Sequence, residues 1–225
     1  MVNKLPGEIS QLDKSGDSSV GDAIAALIAE RNQKHGRVYL VPTHRLDRPV
    51  SGVLMFAKTS KANARMNALF REGRIRKHYW AIVAATLPNE SGTFVHHLVR
   101  DRIHNKSYAF NVPRPNSKRA ELSYVVVQRA DNYELLELEM ATGRHHQIRA
   151  QLASIGAPIR GDLKYGFPRS NPEGGISLHA RAISFDHPIA GKGQIDITAP
   201  APAGNLWDAL LAPLHLHDET ERPRF

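Results

Sequence analysis

Cysteine is absent from the 225 residues. That excludes disulfides, thiolate nucleophiles and every zinc site that needs sulfur ligands. Long apolar runs are missing too. None approaches the roughly 20 residues of a membrane span, and the opening MVNKLPGEIS lacks the apolar stretch of a signal peptide. A soluble, cytoplasmic protein is expected, with no membrane partner. There is no internal repeat and no low-complexity linker. Three nucleotide and hydrolase signatures are also lacking: a GxxxxGK[ST] loop, a GxGxxG after a strand and a GxSxG elbow.

Basic charge is what the chain has in excess. Lys and Arg outnumber Asp and Glu by 30 to 22, a net charge of +8 with all 12 histidines neutral. Such a balance favours polyanionic partners through Coulomb attraction and counterion release. Hydrophobic content of 41% is ordinary for a globular chain and sufficient for one core. A single domain over 1–225 is expected, and a monomer, because no exposed apolar stripe stands out.

Hydrophobic periodicity sketches the elements. Ser18 or Ser19 can cap a helix with an apolar face of Val20, Ile24, Leu27 and Ile28, ending near Gly36. Residues 38–41 and 53–57 read as short strands, and a helix from Ser60 carries Met66, Leu69 and Phe70 to a stop at Gly73. Strands are expected over 78–84, 121–128, 133–140, 176–185 and 194–197, with Asp131-Asn132 as a hairpin turn. A helix over 147–155 closes at Gly156 and Pro158. The polar, basic stretch 102–119 reads either as a solvated loop or as an RNA-backbone contact. The fold class is α+β: a mixed, largely antiparallel sheet flanked by short helices and loops.

Three stretches could carry chemistry. THRLDRPVSGVL, 43–54, places one carboxylate, Asp47, between Arg45 and Arg48. An Asp beside arginines is most often a structural ion pair. Pro49 and Gly52, however, make this a shaped turn between buried strands, where scaffolds present reactive groups. ATGRHHQIRAQL, 141–152, crowds Arg144, His145, His146 and Arg149 at the start of a helix. Adjacent histidines point about 100° apart on a helix and rarely share an ion, so no metal is expected. Arg149 as a charge partner for a buried Asp, supported by His146 and Gln147, is more economical. In RIRKHYWAIV, 74–83, cations precede Tyr79. The ring reads as core packing or as a platform for a base beside phosphate-holding cations.

In this order the stretches resemble the pseudouridine synthases, specifically the large family named after the enzyme RluA. HRLDRPVSGVL resembles the HRLDxxTSG segment, whose aspartate is the essential catalytic residue, here Asp47. KHYWAIV resembles the segment carrying the active-site tyrosine, here Tyr79. TGRHHQIRAQLASIGAPIRGDLKYG is similar to TGRxHQIRxHL…G.PI.GD..YG, whose second arginine, here Arg149, pairs with the aspartate. SLHARAISFDHP resembles the late LHA strand, whose leucine, here Leu178, helps line the pocket. The likeness runs over about 2–200. VNKLPGE departs from VNKPxG by Leu5, and Val50 stands where threonine is common. The strand that usually precedes this opening is not expected, nor is a separate N-terminal RNA-binding module.

The resemblance implies isomerisation of uridine in ribosomal or transfer RNA. HRLDRP resembles the transfer RNA branch, yet the same letters occur among ribosomal RNA enzymes, and ribosomal RNA is taken slightly ahead. Asp47, Tyr79 and Arg149 would be catalytic; Arg45, Arg48, Arg144, His146 and Leu178 would bind substrate. No cofactor is demanded, because the reaction has no net redox change or hydrolysis. Attack at the sugar, attack at the base and elimination all stay open. Without cysteine the chain lacks the thiolate that C5 methylation generally uses and the ligands of zinc deaminases. The rivals are a non-catalytic RNA-binding protein that keeps the fold, and a nuclease built on the histidines, which lacks a metal set.

Overall fold

Gly52 settles where the segment 43–54 can lie. Its φ of +113° is a conformation other residues rarely adopt, and a Cβ there would stand 2.2 Å from the carbonyl oxygen of Ala180. Only glycine lets these two backbones touch. In the computed structural model, which describes residues 1–11, 16–33, 36, 38–84 and 86–216, that contact seats the segment one strand in from the edge of a sheet.

The elements run β1 (Val2–Lys4), α1 (Val20–Arg31), β2 (Val41–Pro42), β3 (Ser51–Leu54), β4 (Phe56–Ala57), α2 (Ser60–Arg71), β5 (Ile75–Val83), β6 (Ser91–Asp101), β7 (Lys106–Phe110), β8 (Lys118–Arg129), β9 (Glu134–Met140), α3 (Gln147–Ser154), β10 (Leu178–Asp186), β11 (Gln194–Thr198) and α4 (Asn205–Leu216). A 3-10 turn covers Leu163–Tyr165. The main sheet is ordered β1-β3-β10-β5-β9-β8-β6-β7, with β11 also on β10; β2 and β4 form a separate ribbon. Every pairing in the main sheet is antiparallel except β3 with β10. The class is α+β, as the sequence implied.

Alternation along β5 sorts the two faces. Tyr79, Ala81 and Val83 point into a core with Leu46, Val50, Leu138, Ile148, Leu152 and Leu178, so α3 covers this face. Ile82 faces the other way, against Trp207, Leu210 and Leu211 of α4. Full burial of such side chains is worth about 1.5–3 kcal/mol each. Helix α2 packs Met66 and Leu69 with Val53, Ile75 and Ile183.

The structure departs from the sequence reading in several places. Stretch 102–119 is not a loop: it holds β7, which pairs with β6 and buries Ser107. A small polar residue on the inward face hid the strand. The run 53–57 breaks at Met55, whose N–H donates to His44 Nε2 and whose carbonyl accepts from Thr43 N–H. It therefore serves two sheets. Ser19 caps α1 through a capping box with Asp22, but the helix ends at Arg31, buries no residue fully and leaves Leu27 exposed. Strand β6 and helix α4 were not anticipated.

Gly52→Ala should lower the unfolding free energy by ~3 kcal/mol or more, because positive-φ strain and a backbone clash act together. Urea unfolding checks this; an unchanged midpoint would show that β3 and β10 can separate freely.

Candidate active site

Asp47 sits on a turn whose backbone is tied on all sides. Leu46 N–H donates to Ser10 Oγ (3.1 Å), which donates back to Leu46 O (2.9 Å). Asp47 O accepts from Val50 N–H (3.0 Å), Arg48 O from Gly7 N–H (2.9 Å), and Pro49 O from Ile176 N–H (3.1 Å). Lys4, with no exposed surface, donates from Nζ to Leu5 O (2.8 Å) and Arg48 O (3.1 Å). Burial lowers its pKa to about 8, against the opposing charges of Glu8 and Asp47. The carboxylate therefore projects from a rigid frame, with about a third of its side chain exposed (32%).

Arg149 arrives from α3. Gln147 fastens the preceding loop: its Oε1 accepts from Thr142 Oγ1 (2.8 Å) and Arg144 N–H (3.0 Å), and its Nε2 donates to Glu121 O (2.9 Å). The Arg149 guanidinium is buried and fully engaged. Nε and Nη2 donate to the two oxygens of Asp162 at 2.7 and 2.8 Å, and Nη1 donates to Asp47 Oδ2 at 3.1 Å. Burial alone would lower its pKa, but the bonds and charges of Asp162 and Asp47 outweigh that and raise it. Asp162, itself buried, fixes the plane of the fork.

His146 completes the cluster from a left-handed conformation, φ 51°. Its Nδ1 is 3.0 Å from the Tyr165 hydroxyl, and its Nε2 is 3.2 Å from Arg149 Nη1 and 3.4 Å from Asp47 Oδ2. Burial and then Arg149 depress its pKa to about 2, so the ring is neutral at pH 7 and its contact with Asp47 is no ion pair. The Tyr165 hydroxyl accepts from Ser107 N–H (2.8 Å) and donates to Ser107 O (3.1 Å). That leaves His146 Nδ1 donating to Tyr165 and Nε2 accepting from Arg149. His145 stacks on His146 with centroids 3.8 Å apart.

Tyr79 is buried on β5, and burial followed by the charge of Asp47 raises its pKa, keeping the phenol protonated. Leu178 packs in the same core cluster. The arginines expected to hold substrate are less concentrated. Arg45 is exposed. Arg48 donates to Gly7 O and pairs with Asp17. Arg144 donates from Nε to Arg119 O. Three members of the cluster escaped sequence reasoning: Lys4, Asp162 and Tyr165. GDLKYG, 161–166, closes the family-like segment, and its acidic and aromatic residues, three apart, were the available signal. Among the described residues no group of histidines and carboxylates is arranged to hold a metal ion.

A family model described as RNA pseudouridylate synthase matches residues 1–154. The ribosomal large subunit pseudouridine synthase D of Zymomonas mobilis is 34% identical over 167 residues, covering 71% of this chain and 52% of that protein. The uncharacterized RNA pseudouridine synthase YlyB of Bacillus subtilis is 33% identical over 159 residues, 71% of this chain and 51% of its own. The tRNA pseudouridine synthase C of Haemophilus ducreyi is 32% identical over 231 residues, 93% of this chain and 89% of its own. The chain thus spans about half the length of the first two. The human RNA pseudouridylate synthase domain containing 4 shares the fold, with a TM-score of 0.74 over 95% of this chain and 88% of that one at 22% identity. The chain belongs to the RNA pseudouridylate synthase family.

Acid should unfold this protein early. Burial holds His44 and His179 near pKa 4 and His146 near 2, against about 6.5 when unfolded. Below pH 6.5 the unfolded chain takes up protons the native one refuses. Stability should fall as pH drops, by at most about 4 kcal/mol per pH unit for the three rings together. Equal urea midpoints at pH 7 and pH 5 would show that the rings protonate without unfolding.

Proposed function

We propose that this member of the family isomerises uridine to pseudouridine in structured RNA. One observation carries the reading: a partly open carboxylate on an immobilised turn meets a buried guanidinium whose other nitrogens are already held by Asp162. A protein that only binds RNA has no use for that expensive arrangement, since desolvating Arg149 and Asp162 costs several kcal/mol per ion before pairing.

The reaction breaks the N1–C1′ bond, turns the base and joins C5 to C1′; C5 gives up a proton and N1 gains one. Nothing is oxidised and no water is consumed. The nucleotide must leave its stack, at a cost of a few kcal/mol that pocket contacts offset. Asp47 acts at C1′, where positive charge develops as the base departs. The described hydrogen bond to its carboxylate, from Arg149 Nη1, falls on Oδ2, which leaves Oδ1 to face the sugar. Arg149 fixes the direction of the carboxylate and opposes its desolvation once RNA covers the site. Tyr79 receives the uracil on β5 and, as a protonated phenol, acts as a proton donor during the rearrangement. Leu178 packs beside it, while Arg45 and Arg144 meet the RNA backbone from the rim. The substrate is ribosomal or transfer RNA, and mapping pseudouridines in cells with and without the gene identifies the position.

Asp47→Asn should reduce tritium release from RNA labelled at uridine C5 to background while folding and RNA binding persist. Near wild-type release would remove Asp47 from the chemistry. A wild type that binds RNA but releases no tritium would establish the binding-only reading. Tyr79→Phe keeps the ring and loses the proton; the single-turnover rate should fall by ~10²-fold, and an unchanged rate reduces Tyr79 to a platform.

A further inference from the structure

Lys77 is a cation of the site wall that forms no ion pair among the described residues. It lies on β5 two residues before Tyr79, opposite Ile183 of β10, so both side chains leave the same face of the sheet about 7 Å apart. The lysine is half-buried, and burial alone lowers its pKa. Together with His44, Val53 and Ala180, Lys77 and Tyr79 line one small cavity. None of these neighbours is an anion. His44 is kept neutral near pKa 4 by burial and by Lys77 itself, and its Nε2 is taken by Met55 N–H. Among the described residues no carboxylate forms an ion pair with Nζ. Asp47 and Asp162, the acids of the site, are both committed to Arg149.

The ammonium also lies against a neighbouring loop of the site. A Cβ on Gly143 would lie 3.3 Å from Lys77 Nζ. The side chain therefore reaches the loop 142–145 that leads into α3 and Arg149. This loop offers it no acid: the Arg144 guanidinium turns away to Arg119 O, and Gly143 presents no side chain. A partly desolvated ammonium without a counter-ion raises the free energy of the empty protein. A neutral carbonyl would offset little of that, whereas an anionic oxygen restores the missing charge.

We propose that Lys77 binds a backbone phosphate of the RNA at the nucleotide presented to Asp47. The assignment rests on the uridine-isomerase reading for its substrate. The spacing suits it: a base against Tyr79 has its own phosphate at about the separation of neighbouring same-face side chains on the strand.

Fluorescence-anisotropy titration of a short oligouridylate at increasing salt tests the site without requiring turnover. Lys77→Gln should weaken binding about tenfold at low salt and reduce the slope of log K against log salt by about 0.7, the loss of one phosphate contact. Lys77→Arg should keep the slope. In single-turnover tritium release, Lys77→Gln should raise the half-saturating RNA concentration by a similar factor and leave the saturating rate within about twofold. Lys77→Met should leave Tm unchanged or raise it, because it removes an uncompensated charge. Equal salt slopes for wild type and Lys77→Gln would overturn the assignment, and so would a Tm lowered by several degrees in Lys77→Met, the mark of a structural lysine. Inorganic phosphate raising the wild-type Tm as much as the oligonucleotide does would assign the site to the free ion and equally overturn it. A wild type inactive in tritium release with the slope difference intact would sink the isomerase reading and leave the phosphate site standing.

Discussion

The Arg149 guanidinium is shared between two carboxylates of unlike station, and the site is organised around that division. Asp162 is sealed in the core and takes two of the nitrogens side by side; Asp47 stands at the surface and takes the third. A guanidinium has a fixed planar fork, so orienting it through one acid dictates where the other can be met. A lysine would keep the charge and lose the direction. Tyr165 then lies against the face of the fork, and His146 accepts a hydrogen bond from Nη1 at its edge, which further restricts the arginine.

The sheet supplies the rest of the constraint. Strands β3 and β10 are joined in parallel at a glycine, and this places the turn at 46–50 over the same face that α3 covers. Lys4 reaches into that turn from β1, and Ser10 from the segment after it. Much of the N-terminal stretch thus serves as a brace for the backbone of Leu46 and Arg48, on either side of Asp47.

Legibility followed the range of the interactions. Asp47, Tyr79 and Arg149 stood out because each lies in a compact stretch with unusual neighbours, and α2, α3 and most strands announced themselves by period and caps. Their pairing partners are another matter. Lys4 meets Arg48 O across 44 residues and Arg149 meets Asp162 across 13, and no local pattern records such meetings. Strand β7 was lost because a sheet-edge strand of KSYAF needs few apolar residues. Helix α4 carries Leu206, Trp207, Leu210, Leu211 and Leu214 at helical spacing, but Pro213 within it and the prolines before it disguised the repeat. The apolar stripe on α1 misled in the other direction, since the helix lies largely open to solvent.

Strand β10 carries one more residue than its partner between Ala180 and Ala182, at Arg181. On the near side of that irregularity its free edge is taken by β3 and on the far side by β11, while Arg181 turns onto the ring of Trp80 at 4.3 Å. An extra residue interrupts the ladder locally and resets the alternation of faces. The pairing of β10 with β11 therefore ends where its junction with Gly52 begins, and one strand keeps two registers that are set apart from each other.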